Sequence, residues 1–161
     1  MKKVIRYMMA DYLNTGGKDA EEYSLMGSGF TSLDENPSAK VDKTPYICDR
    51  SVSGSVTGYE NTFPFDTQFI SDDAAVMYLY EIARNQKVGA EAETDYIRVD
   101  MYKEVTGGAY PARKFRVAVG ITGITGAGTE IMKVAGSLHQ VGNFTEGTFN
   151  TTTKTFTPAE A

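Results

Sequence analysis

Apolar residues fall at every second position in two segments of the chain's second half. Ile97, Val99 and Met101 alternate with Arg98, Asp100 and Tyr102, and Phe115, Val117, Val119 and Ile121 alternate with Lys114, Arg116 and Ala118. Successive side chains of a strand point to opposite faces, so a two-residue period describes strands with one buried and one wet face. Such strands pair antiparallel into sandwiches or barrels. Met132, Val134 and Leu138 extend the pattern through residues 131–141, and residues 143–149 and 154–157 read as a closing hairpin. Gly107, Gly108 and Pro111 supply a turn between the first two strands.

One helix interrupts the strands, at residues 71–87. Ser71 is placed to cap it, and Asp72 and Asp73 suit the positive end of its dipole. Ala75, Val76, Leu79, Ile82 and Ala83 form one apolar stripe, Arg84 and Lys87 sit in the last turn, and Gly89 can end it. A single amphipathic helix must lay its stripe on a sheet. The fold class is therefore α+β, mainly β: an antiparallel sandwich or barrel-like single domain with one flanking helix.

Upstream the pattern weakens. Residues 1–20 read as a polar N-terminal arm with a turn at Asn14-Thr15-Gly16-Gly17, and residues 22–28 as a short strand. Residues 31–50 show little periodicity. A structureless loop of this length is uncommon inside a domain and tends to be functional. It is either a surface excursion or an arm that orders against a neighbouring subunit, with Asp34, Asn36, Pro37, Lys40, Asp42, Tyr46 and Asp49 as its contact residues. Over residues 51–59, Ser51, Ser53, Ser55, Thr57 and Tyr59 alternate with Val52, Gly54, Val56 and Gly58, a small-residue strand that another backbone can approach closely. Pro64 places residues 61–70 at a sheet edge, because proline cannot donate to a ladder.

Net charge excludes one class of function. At −5 overall, with Glu60, Asp66, Asp72, Asp73, Glu81, Glu91, Glu93, Asp95, Asp100 and Glu104 crowding the middle, the surface repels phosphate backbones. This is either a solvated face or a negative field that keeps a polyanion from sticking. The single Cys48 excludes an internal disulfide and fits a reducing compartment. The start of the chain is too charged for a signal sequence, and no segment approaches the roughly 20 apolar residues of a membrane span.

No chemistry emerges from the motifs. Gly120-Ile121-Thr122-Gly123-Ile124-Thr125-Gly126-Ala127-Gly128 lacks the Gly-Lys-Ser/Thr ending and the following helix of a phosphate loop, and reads as a strand connection. His139, the one histidine, falls opposite Met132, Val134 and Leu138 and faces outward, so neither a His-based metal site nor a Cys–His couple is supported. Asp34, Glu35, Asn36 and Asp42 lack the spacing of a calcium loop. No catalytic, cofactor-binding or metal-ligating residues are assigned.

Several segments, in order across nearly the whole chain, resemble the major tail tube protein of long-tailed bacteriophages and prophages of Gram-positive bacteria. They are Tyr12-Leu13, the run from Leu25 to Glu35, Thr44 to Ser51, Tyr59 to Phe65, Glu93 to Tyr102, Ala112 to Phe115, Gly136 to Gly142 and Glu146 to Asn150. The resemblance implies a structural virion protein assembled in the host cytoplasm. Its hexameric rings stack into a tube that conducts DNA without gripping it. It implies that the loop at residues 31–50 reaches the adjacent ring, and that tape-measure, tail terminator and baseplate or tip proteins are partners, with no cofactor and no membrane. Residues 51–59, and one of the strands at 113–121 or 131–141, are expected to line the lumen or a subunit interface, while some of Arg98, Arg113, Lys114 and Arg116 are expected at interfaces or on the outer surface. The alternatives are the inner tube of a contractile tail or tail-derived injection particle, and a non-enzymatic ligand-binding β-module.

Overall fold

The computed structural model describes residues 1–17, 19–103 and 106–160. Its strands are β1 (Met9–Asn14), β2 (Tyr23–Leu25), β3 (Phe30–Leu33), β4 (Ala39–Thr44), β5 (Ser53–Tyr59), β6 (Thr62–Gln68), β7 (Glu93–Asp100), β8 (Ala109–Thr125), β9 (Lys133–Gln140), β10 (Thr145–Asn150) and β11 (Thr155–Pro158). The helix α1 (Ala74–Arg84) lies between β6 and β7. Nine strands form one sheet in the order β2-β1-β7-β8-β9-β6-β3, with β10 joined to both β8 and β11, while β4 and β5 make a separate two-stranded sheet. Every strand pair is antiparallel, in line with the alternation.

The 17-residue β8 organises the sheet. Along one edge it pairs with β7, and along the other it pairs first with β10 and then with β9. Gly120 to Thr125, expected as a connection, belong to this strand and pair with β9. Gly136 of β9 permits that close approach: a Cβ there would lie 2.3 Å from the Gly120 carbonyl oxygen.

Both faces of the sheet are covered, which the one-sided alternation did not foretell. Leu13, Phe63, Tyr96, Phe115 and Leu138 pack with Leu79 and Ile82 of α1 on one face. On the other, Tyr12, Tyr23, Ile97 and Val99 pack against Phe149 of β10, whose ring centroid lies 4.5 Å from that of Tyr12. Adjacent Tyr96 and Ile97 thus enter different cores. Arg98, expected outward, is buried as well. The closing β10–β11 hairpin matches expectation and supplies the second cover.

Three boundaries move. Residues 9–14, read as part of a polar arm, form the interior strand β1 between β2 and β7, and its Leu13 is fully buried. The helix starts at Ala74, and its cap is Asp73, whose carboxylate accepts from the Ala75 and Val76 amides at 3.0 and 3.2 Å. Its C-terminal end closes before Gly89, with Gln86 at φ 49° and the Lys87 amide donating to the Ile82 carbonyl. Pro64 lies in β6, which has neighbours on both sides. Its carbonyl accepts from the Asp34 amide, so its ring nitrogen faces the short β3 side, away from the long ladder with β9.

Candidate functional site

The ladder between β3 and β6 does not stop at the body. Ser32 pairs with Asp66, Leu33 with Phe65, Asn36 bridges Thr62, and Ala39 and Lys40 pair with Tyr59 and Gly58. One register therefore runs from the sheet through residues 36–38 into β4 and β5. The root is closed by backbone hydrogen bonds from the Asn36 amide to Thr62, from Thr62 to Asn36 and from Glu60 to Ser38, at 2.8, 3.0 and 3.2 Å. Residues 31–50, expected as a loop, are thus the first half of a β-arm whose second half is the predicted strand at 51–59. The two sets of candidate residues face one another across one hairpin.

Every residue from 36 to 57 is exposed. At roughly 3.3 Å per residue the arm projects on the order of 20 Å. Its pairing slips by one residue after Lys40, which leaves Thr57 unpaired as a bulge, with its hydroxyl donating to the Lys40 carbonyl at 3.2 Å. The slip changes which side chains share a face, because directly opposed residues of an antiparallel pair lie on the same side. Val41 opposes Val56, and Ala39 opposes Tyr59, so Tyr59 joins the valines. Lys40, Asp42 and Thr44 share the other face with Ser53 and Ser55. Simple alternation had put Tyr59 with the serines. The arm is therefore two-faced, and the face that carries Val41, Val56 and Tyr59, with Lys43 toward the tip, stands open: the three apolar side chains are 54%, 56% and 67% exposed.

The remaining candidates occupy the ends of the arm. Asp34 and Pro37 flank the root, with the Asp34 amide bound to Pro64. Lys40 pairs with Glu60 at 3.0 Å between exposed side chains. Tyr46 and Asp49 shape the tip, where the Asp49 amide donates to the Tyr46 carbonyl, and Ser51 follows on the exposed return. Cys48 is exposed at this tip beside Ile47, and His139 is exposed on β9.

A buried cluster of charges at the root was not foreseen. Asp11 of β1, 1% exposed, accepts from the Tyr96 hydroxyl and from Arg6, and its carboxylate lies 3.8 Å from Arg98 Nη1. Glu35, between β3 and the arm, takes a two-pronged pair from Arg113 at 2.8 and 2.9 Å and lies 3.8 Å from Arg98 Nε. Burial opposes the charge on Arg98, but Tyr96, Asp11 and Glu35 outweigh it and hold its pKa above the ordinary guanidinium value. Burial likewise works against Arg113, and Glu35 reverses the balance. Burial, reinforced by Asp11, keeps the Tyr96 phenol protonated well beyond its usual range.

Arg98, Arg113, Lys114 and Arg116 are all paired within the chain. Arg98 and Arg113 serve this cluster, Lys114 meets Glu21 and Asp95, and Arg116 meets Glu93 and Asp95. The acidic middle is correspondingly broken up: Glu93 and Asp95 pair with β8, Glu60 with the arm, and Asp73 caps the helix. Glu104 lies outside the described residues. Sequence offers no signal for the cluster: Arg98 falls in the polar phase of its strand, and Asp11 lies in a segment without alternation. Among the described residues, no three His, Cys, Asp or Glu side chains gather as metal ligands, and no helix is long and apolar enough to cross a membrane.

No family model matches the chain, and no curated protein matches it in sequence. Its fold is similar to that of a chain in the cryo-EM structure of the anti-feeding prophage (AFP) baseplate, 6-fold symmetrised. The TM-score is 0.51 at 4% identity, over 91% of this chain and 96% of the other. At that identity the likeness is one of fold.

Proposed function

We propose that the protein is a non-enzymatic structural subunit of a phage or prophage tail, polymerising as stacked hexameric rings into the tube through which DNA is ejected. The arm carries this reading. A two-stranded hairpin exposed on both faces is marginal in water, and its exposed valine pair and Tyr59 contribute burial energy only when something covers them. A second copy of the chain is the partner that a self-assembling wall supplies. Pairing across subunits would also cover the outer edges of β2 and β11, which otherwise invite uncontrolled strand addition. Head-to-tail contacts of this kind need not close and therefore build filaments. The fold likeness to a chain of a 6-fold baseplate supports a ring context. Tape-measure, terminator and baseplate or tip proteins are the expected neighbours, and the virion tail, assembled in the host cytoplasm, the expected location.

That likeness also favours a second reading, a ring or inner tube of a contractile tail or tail-derived injection particle. Electron microscopy of the purified protein separates tube from ring: long tubes support a tube subunit of either tail type, and isolated six-fold rings support a ring component. A monodisperse monomer at high concentration counts against both. Excision of residues 39–59, with a two-residue Asn-Gly turn in their place, sharpens the test, because Ser38 and Glu60 face each other across the ladder, joined by a 3.2 Å hydrogen bond, and such a turn can close the pair. The shortened chain is expected to fold and fail to polymerise; normal tubes from it would sink the role of the arm.

A further inference from the structure

The root of the arm and the N-terminal segment meet at one buried cluster of charges: Glu35 at the root, and Asp11, which Arg6 of the N-terminal segment reaches, both lie beside Arg98. Arg98 is 7% exposed, and its Nε and Nη1 have no hydrogen-bond partner among the described residues. Those two nitrogens lie at the same distance, 3.8 Å, from Glu35 and from Asp11. Glu35 sits one residue before the bridge at Asn36 and is held to β8 by Arg113, whose guanidinium also lies over the rings of Phe115 and Phe144 at 5.2 and 5.7 Å. On the other side, Arg6 reaches from the exposed N-terminal segment to Asp11 and to the Leu33 carbonyl at 3.2 Å, the last residue of β3.

We propose that Glu35 is the positioning residue of the arm, and that Arg98, shared between Glu35 and Asp11, couples the arm's root to the docking of Arg6. The physical basis is competition for one cation. While Arg6 neutralises Asp11, Arg98 is left to hold Glu35. When the N-terminal segment is drawn away, Asp11 is left short of a partner in a buried site and claims Arg98, because an unpaired buried carboxylate is costly. Glu35 then retains Arg113 alone, and the arm's root loosens. Arg98 can shift its weight in this way because, among the described residues, neither its Nε nor its Nη1 is committed to a hydrogen bond. The coupling belongs to the isolated subunit. Its use, letting capture of the N-terminal segment by a neighbour free the arm to dock, rests on the assembly reading above.

Residue-resolved hydrogen exchange on the unassembled full chain tests it at low protein concentration. The readout is the amides of Asn36, Glu60 and Thr62, which close the root, compared with core amides of β7 and β8. Glu35→Gln and Arg6→Ala are each expected to speed exchange at the root by about tenfold, the order expected when a charge-assisted hydrogen bond is lost, and to leave the core amides within about twofold. Arg116→Ala, whose pairs lie outside the cluster, is expected to leave the root amides unchanged. Root acceleration in Glu35→Gln but not in Arg6→Ala would overturn the coupling. Equal acceleration of root and core in Glu35→Gln would show that the residue holds up the fold and not the arm. Failure of the protein to form tubes would leave this exchange pattern untouched and would count against the assembly reading alone.

Discussion

Replacing Asp11 with Asn should be among the most damaging conservative changes in the chain. The side chain is buried and faces three partners at once, Arg6, Tyr96 and Arg98. Asn keeps the volume and one acceptor oxygen, so Tyr96 retains a partner. What is lost is the negative charge beside a buried guanidinium. Breaking a buried pair from one side costs about 3–5 kcal/mol. Glu35 still partly neutralises Arg98, which points to the lower end, and the half-exposed Arg6 adds at most about 1 kcal/mol. The expected loss is about 3 kcal/mol, a large share of the roughly 5–15 kcal/mol that stabilises a domain.

Urea unfolding followed by far-UV circular dichroism and tyrosine emission reads this directly, since the chain has ten tyrosines and no tryptophan. With a slope of about 1–3 kcal/mol/M, the midpoint should fall by about 1–3 M. Thermal unfolding should come roughly 6–12 °C earlier for a domain of this size. The double variant Asp11→Asn/Arg98→Met should recover part of the loss, because an apolar replacement removes the stranded charge. A single-variant cost below about 1 kcal/mol, with no coupling in the double-mutant cycle, would refute the view that these charges depend on one another.

Three further outcomes follow from particular contacts. Asp73→Ala should cost about 1 kcal/mol and Ser71→Ala less than about 0.5 in the same assay, because Asp73 is the side chain that accepts the helix amides. Gly136→Ala should cost about 1–3 kcal/mol, since its Cβ would meet backbone atoms of Gly120 and Ile121, whereas Gly58→Ala on the arm meets open space and should be near neutral. Stability should decline as pH rises past about 10, where tyrosines of the unfolded chain ionise. The folded state keeps Tyr96 and Lys114 protonated to higher pH, so their contribution is full below that point and lost above it. Tyr96→Phe should flatten the alkaline limb of a denaturation series, and an unchanged limb would contradict the assignment.

The legible parts of the fold are those whose pattern is produced by their own burial. Phe115, Val117 and Val119 alternate because one face of β8 enters a core, and Leu79 and Ile82 recur because one side of α1 does. Sequence erred where burial was two-sided or the register broke. Leu13 sits among polar neighbours that are themselves buried, as Asp11 and Asn14 show, so β1 carried no alternation to read. Tyr59 was assigned to the wrong face because a bulge at Thr57 is invisible to a two-residue count. Asp73 lost to Ser71 because neighbouring residues with equal capping chemistry cannot be ranked without the backbone. Of the candidate segments, the pairing was not legible: residues 39–44 and 53–59, read as part of a loop and as a separate strand, belong together as two strands of one arm.

The arm resists pattern reading for a physical reason that also bears on what it does. A strand normally needs an apolar face of its own to fix its register. β4 and β5 do not, because they inherit register from β3 and β6, which the body holds through Leu33, Phe63 and Phe65. Their side chains are thereby released from the demands of folding. Substitutions along the arm should cost little stability in the isolated subunit, and those at Val41, Val56 and Tyr59 should act instead on association. The body fixes the direction of a ribbon whose own side chains it does not cover. The buried charges at the root then determine how firmly that direction is held.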